Sequence, residues 1–240
     1  PLASLDDIVF GGWDPISANA LEAARTCGVL EEKDLSPIAQ ELEGVVAMDA
    51  VFDQKWVSRL EGTRVKSETN KWDQAMALMA DIENFKVENG CDRLVMVWCG
   101  STEAFQEPSA VHETVAAFEQ GLKDNDDNIS PSQIYVYAAL QSDVPFANGA
   151  PNLSTDLPCM QELSHTRGVP IAGKDFKTGQ TLMKTLLAPG LKARMLGLRG
   201  WYSTNILGNR DGEVLDAPEN FKTKEESKLG VLHKILEPEV

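Results

Sequence analysis

Histidine is scarce in this chain and cysteine is scattered: three histidines and four cysteines among 240 residues. Cys27, Cys91, Cys99 and Cys159 form no CxxC pair, which excludes a zinc site of the usual spacing. Cysteines at this low density suit a reducing cytoplasm, where buried free thiols are the ordinary state. No apolar run reaches the ~18 residues of a membrane span, and no secretory leader is visible. Basic residues are also few. The 22 Lys and Arg stand against 37 Asp and Glu, a net charge of −15. A surface of that sign argues against general nucleic-acid binding, because phosphate backbones are met by a basic footprint. Any anionic ligand must find a local basic pocket instead. An initiator Met is missing too, and the expectation from Pro1 is that the natural N-terminus lies further upstream.

What is present is apolar material for one large domain or for one domain and part of another, 42% of the chain being hydrophobic. LDDIVFGG (5–12) reads as a short buried strand ended by glycines. Pro15 and Ser17 open a helix over about 16–27 that stops at Gly28, and further helices are expected over 35–43 and 68–88. RLVMVW (93–98) is a continuous apolar run, the pattern of a parallel strand covered on both faces. Helices then follow over 108–122, from Pro131 through Gln141, and over 156–166, with a polar loop at 123–130 and short strands at VPFANGAP and VPIAG. A last helix covers 178–187, and ARMLGLRGWYSTNIL (193–207) reads as a strand exposed on one side.

Strands alternating with helices make an α/β protein on a parallel sheet. Ligands of such sheets sit beyond the carboxyl ends of the strands, and three of those ends read GGWD, CGSTE and AGKD. Taken singly these are ordinary turn residues; three together favour a site. The C-terminal stretch holds the one basic cluster that stands out. Lys222, Lys224 and Lys228 follow Asp211, and Lys224 and Lys228 are spaced to share one helical face. Like charges so placed repel, an arrangement that becomes useful when an oxyanion lies between them. Glu225 and Glu226 offer the plainer alternative of surface pairing, which is the reading favoured for Lys222. His112, His165 and His233 fall on expected helices without metal-ligand spacing and read as packing or surface residues.

The motifs GGWD (11–14), PFANGAPN (145–152), GKDFKTGQT (173–181), LGNRDG (207–212) and KTKEESK (222–228) occur in the order found in the inositol-3-phosphate (myo-inositol-1-phosphate) synthase family, which the chain resembles along its length. The resemblance implies NAD-dependent conversion of glucose 6-phosphate to inositol phosphate, on the way to inositol lipids. It implies a Rossmann-type domain over 1–180, followed by the start of a second α/β domain of catalysis and tetramerisation over 181–240. The expected assembly is a cytoplasmic homotetramer. The family's first strand and glycine-rich loop are not in the sequence, nor is any GxGxxG. The chain therefore reads as the middle of a larger enzyme, inactive alone.

By the same resemblance Lys224 and Lys228 are catalytic, Lys224 as proton partner of the C5 oxygen and Lys228 polarising a carbonyl or holding substrate. Asp211 orients a lysine near the nicotinamide. Leu207 and Asn209 touch substrate. Asp14, Ser101, Thr102, Gly149 and Asp175 contact the cofactor. The family often has Asn where Ser101 stands, and an aspartate where Lys174 precedes Asp175. No metal ligand is assigned, and a divalent or monovalent cation requirement is left open. The competing readings are another NAD-linked oxidoreductase on a phosphorylated sugar and a non-catalytic structural remnant.

Overall fold

The computed structural model describes residues 3–176, 179–202 and 210–236. The described strands form two parallel sheets. β1 (Trp13–Asp14) pairs with β2 (Met48–Asp49), and β3 (Met96–Trp98), β4 (Phe146–Asn148) and β5 (Ile171–Gly173) lie side by side in that order. Between β1 and β2 come α1 (Ala20–Cys27), α2 (Glu32–Leu35) and α3 (Ala39–Glu43); α4 (Lys71–Glu88) precedes β3. α5 (Val115–Lys123) and α6 (Pro131–Gln141) link β3 to β4, and α7 (Pro158–Arg167) links β4 to β5. α8 (Gly179–Ala193), α9 (Asp211–Val214) and α10 (Pro218–Ile235) follow.

The core is built around α6. Ser130 and Gln133 cap its N-terminus reciprocally and Pro131 occupies its first turn. The residues from Pro131 to Leu140 are all buried, as a helix apolar on every side must be. α4 and α7 pack against it. Tyr135 of α6 holds the two sheets together from below. Its ring lies 5.3 Å from Trp13 of β1 and 5.2 Å from Trp98 of β3, and its hydroxyl accepts a hydrogen bond from Val51 N at 2.9 Å. Trp13 Nε1 in turn donates to Asp81 of α4 at 2.7 Å, and Lys66 pairs with the same carboxylate.

Several expectations are corrected. LDDIVFGG is not a strand: Leu5–Asp7 is a 3-10 turn, Val9 and Phe10 are exposed, and pairing starts only where Met48 N meets Gly12 O. Apolar residues with no strand beside them have no ladder to join. α1 begins at Ala20, because the Asn19–Glu22 capping box sets its start, while Gly28 ends it in the left-handed conformation. The helix expected over 35–43 is broken by the 3-10 turn at Ser36–Ile38, whose Pro37 supplies no N–H. The one over 108–122 is split into a 3-10 turn, Ala110–His112, and α5, which Thr114 caps. β3 is covered on one face only: Met96 and Trp98 pack on the core, whereas Val95 and Val97 are 69% and 47% exposed. Residues 194–202 form no strand, and 203–207 lie outside the described residues. Cys27 and Cys99 are exposed; Cys159 is buried, and burial pushes its thiol up to about 12.

Candidate functional site

Parallel pairing in register brings three strand ends to one edge, since Trp98 lies opposite Asn148, and Asn148 opposite Gly173. The loops that leave them are tied by two buried asparagines. Asn148 Nδ2 donates to the Asn152 carbonyl and to Ser154 Oγ, both at 2.8 Å, while its Oδ1 accepts from Ala150 N. Asn152 Oδ1 accepts from Glu103 N at 3.0 Å, and its Nδ2 donates to the Ser101 carbonyl. Gly149 N donates to the Trp98 carbonyl at 2.9 Å. Phe176 N and Asp175 N close the β5 loop onto Gly149 and Ala150.

Glu103 anchors the β3 loop from beneath. Its buried carboxylate accepts from Ser132 N and from the hydroxyls of Ser130 and Ser132 at 2.6–2.8 Å, at the N-terminus of α6. Burial outweighs those bonds and holds the carboxyl above its ordinary value. A raised folded value means that its stabilising share is full below the unfolded value near 4.5 and is lost as pH rises through the folded one. Glu103→Gln cannot ionise and should flatten that dependence. Urea midpoints of the full-length protein at pH 5 and pH 8 should show the variant gaining on the parent as pH rises; parallel midpoints would contradict this.

α10 carries the lysines. Asn220 in its first turn is buried and donates to two carbonyls, Trp56 O at 2.9 Å and Thr102 O at 2.7 Å. Phe105 N donates to Glu219 O, so the β3 loop and α10 are joined directly. Lys222 is exposed, its ammonium 3.9 Å from the Phe105 ring centroid. Lys224 turns the other way, into an ion pair of 3.3 Å with Asp211 at the start of α9. Lys228 is one turn further on, half-buried. Burial first, then the Lys224 charge, pushes its amine below the ordinary lysine value. Asp175 accepts from Ser227 Oγ at 3.3 Å and so faces the same turn of α10. Lys184 of α8 is fully buried and donates from Nζ to the Lys228 carbonyl at 3.0 Å.

Asp14, Ser101 and Asp211 line one cleft of about 2380 Å³. Asp211 also touches Lys224 and thereby joins the strand-end loops to the lysine helix. Asp14 is the last residue of β1, with its carboxylate accepting from Ile16 N at 2.8 Å. Thr102 is buried and offers its carbonyl to Asn220. Gly149 directly follows β4 and Asp175 lies beyond β5. Leu207 and Asn209 lie outside the described residues. Lys174 pairs with Asp156 at 2.8 Å, a fixed positive charge where the family pattern has an acid. His112 is a core residue, Nδ1 accepting from Ser109 N and Nε2 facing Gln133 Oε1. Sequence reasoning missed Glu103, Asn148, Asn152, Lys184 and Asn220. The first three stood in quoted motifs; for the last two no local signal exists.

The cleft runs along β3 and borders β1. At the strand ends, an added Cβ at Gly149 would stand 2.7 Å from the Trp98 carbonyl oxygen, so that close approach holds only with glycine. An NAD-binding family model described as myo-inositol-1-phosphate synthase matches residues 1–219. The inositol-3-phosphate synthase 1 of Bacteroides thetaiotaomicron is 55% identical over 240 residues, 100% of this chain and 56% of its own length. That of Citrus paradisi is 34% identical over 246 residues, covering 100% of this chain and 48% of its own. Both alignments take in the lysine helix beyond the matched model. The crystal structure of inositol-3-phosphate synthase from Caenorhabditis elegans superposes with a TM-score of 0.90 at 27% identity, covering 95% of this chain and 45% of that one. The chain thus spans about half the length of the relatives it matches. With a parallel α/β fold that superposes on an inositol-3-phosphate synthase and a family match over most of its residues, this chain belongs to the myo-inositol-1-phosphate synthase family.

Proposed function

We propose that the chain is the central part of an enzyme that converts D-glucose 6-phosphate into 1D-myo-inositol 3-phosphate with NAD that is reduced and reoxidised in each turnover. The observation that carries this reading is the Asp211–Lys224 pair at the cleft, with Lys228 one helical turn away. NAD, when bound, supplies the acceptor and later the donor of a hydride at C5 of the open sugar. The residues of the chain handle protons and charge. Lys224, as the neutral amine, takes the C5 hydroxyl proton as the carbonyl forms, and the resulting ammonium, oriented by Asp211, returns it when C5 is reduced again. Loss of a proton from C6 leaves an enolate whose charge rests on the C5 oxygen. Its attack on the C1 aldehyde moves the charge to the C1 oxygen. Lys228 polarises these oxygens, and fixed cations away from water stabilise such charge better than solvent can.

On the cofactor side we assign Asp14, Ser101, Thr102, Gly149 and Asp175, the last two nearest the nicotinamide, and on the substrate side Leu207 and Asn209. Residues 1–180 form the NAD-binding part and 181–240 begin the catalytic and oligomerisation part. The slot between β1 and β3, faced by exposed Val9, Phe10, Val95 and Val97, accepts a further parallel strand and its glycine-rich loop. The assembly is a homotetramer, a reading supported by the apolar residues Leu182, Met183, Leu186 and Leu187 that α8 leaves 47–64% exposed. No described helix is long and apolar enough to cross a membrane. The full-length protein, given glucose 6-phosphate and substoichiometric NAD, should form many equivalents of inositol phosphate per NAD without net NADH. Stoichiometric NADH with no inositol product would make it a different sugar-phosphate oxidoreductase. Neither NAD binding nor turnover would leave a structural remnant. Adding ammonium or a divalent ion after chelation reads cation dependence in the same assay.

A further inference from the structure

Lys184 is 1% exposed, a burial that lysine almost never reaches without a partner. No carboxylate pairs with it among the described residues. Its ammonium is held by the Lys228 carbonyl at 3.0 Å and by the face of Trp201, 5.7 Å from the ring centroid. A helix carbonyl and an aromatic face both favour a cation, but neither neutralises it. Burial pushes the Lys184 amine below the ordinary lysine value, and the carbonyl and the ring are what hold its charge, directly behind the turn of α10 that presents Lys224 and Lys228. α8 and α10 pack along each other, so the contact also fixes the rotation of α10.

We propose that Lys184 is a positioning residue of the lysine site, whose buried ammonium locks α8 to α10 at Lys228 and supplies the third positive charge of a cluster that faces Asp175 and Asp211. This rests on the assignment of Lys228 to the reaction made above. Among the described residues, the charged groups that act on Lys228 include Lys224 on its own helix, Lys184 from α8, Asp175 from the β5 loop and Asp211 from α9. Burial and the two ammonium groups favour the neutral amine of Lys228, and the two carboxylates oppose them. Without Lys184 the balance tips toward the protonated form.

The test is made on the full-length protein with Lys184→Gln, which keeps an N–H donor for the Lys228 carbonyl and removes the charge, and with Lys184→Arg, which keeps the charge. Competitive acetylation with limiting acetic anhydride, read peptide by peptide against exposed Lys33, reports the neutral fraction of Lys228 at each pH. In Lys184→Gln its labelling rate at pH 8 should fall about threefold or more relative to Lys33, while Lys184→Arg should stay near the parent. The alkaline limb of the kcat profile should move to higher pH in Lys184→Gln and not in Lys184→Arg. A Lys228 rate unchanged in Lys184→Gln, or a lowered kcat with an unmoved profile, would overturn the proposal. If Lys184→Gln does not hold its fold, labelling of the parent decides: Lys228 must reach half-maximal rate at lower pH than Lys33, and coincidence of the two would overturn it. Because labelling needs no turnover, a protein inactive on glucose 6-phosphate would refute the proposed function and leave this result readable.

Discussion

Lys224→Ala in the full-length enzyme should lower kcat by about 10²–10³, the usual cost of removing one charge-stabilising donor from a preorganised site, and by more if no other group moves the C5 proton. Fold and NAD affinity should be nearly unchanged. The ammonium of Lys224 meets Asp211 at 3.3 Å, and the Asp211 side chain is 41% exposed. Water can therefore solvate the carboxylate left behind, and an ion pair of that exposure contributes only about 0–1 kcal/mol to stability. Lys222 is the internal control, two residues away on the same helix. Its ammonium stands over the Phe105 ring on the exposed side of α10, a contact worth about 0.5–1 kcal/mol, so Lys222→Ala should cost a little stability and little rate. Steady-state kinetics of both variants at saturating substrate, with thermal melts and NAD titrations alongside, make the comparison. Near-normal activity in Lys224→Ala, or a greater loss in Lys222→Ala, would remove Lys224 from its role.

The elements legible in the sequence are those whose signals are local. Ser130, Pro131 and Gln133 announce α6, and Gly28 and Gly168 stop α1 and α7 in left-handed turns. The segments misread are those whose burial depends on distant neighbours. Val95 and Val97 belong to an apolar run that looks covered on both faces, yet one face of β3 opens on the cleft. Ile8, Val9 and Phe10 have strand composition and face the same opening. Periodicity reports which side chains are apolar; only the packing partner decides whether they pair.

The site divides in the same way. That Lys224 and Lys228 share one helix was legible from their spacing and the motif order, and Asp211 meets Lys224 there. Asn220 was not legible. Its amide binds the Thr102 carbonyl across 118 residues of sequence, and in the first turn of a helix an asparagine looks like a solvated residue. Lys184 reads as an ordinary helix cation, and only the approach of α10 buries it. Glu103 was visible in CGSTE, but its partners Ser130 and Ser132 sit behind an intervening helix and read as capping residues alone.

Gly149→Ala should cost about 1–3 kcal/mol of stability and weaken NAD binding by more than it weakens the fold. An added Cβ would meet the Phe176 ring and would stand 2.7 Å from the Trp98 carbonyl oxygen. The first clash can be relieved, since Phe176 is 58% exposed and free to swing outward. The second cannot. Trp98 O is held by Gly149 N itself at 2.9 Å, and Gly149 directly follows β4, whose register with β3 is fixed. Relief must come from a shift of β3 against β4 at their carboxyl ends. That shift pulls on Asn148 and Asn152, and through them on Glu103 N and the Ser101 carbonyl. The strand-end rim assigned to the cofactor is thus the part displaced, while α6 and the core beneath it stay packed. NAD titration and urea unfolding of the full-length protein separate the two effects. A variant with unchanged NAD affinity would show that the close approach of β3 and β4 at Gly149 does not shape the cofactor site.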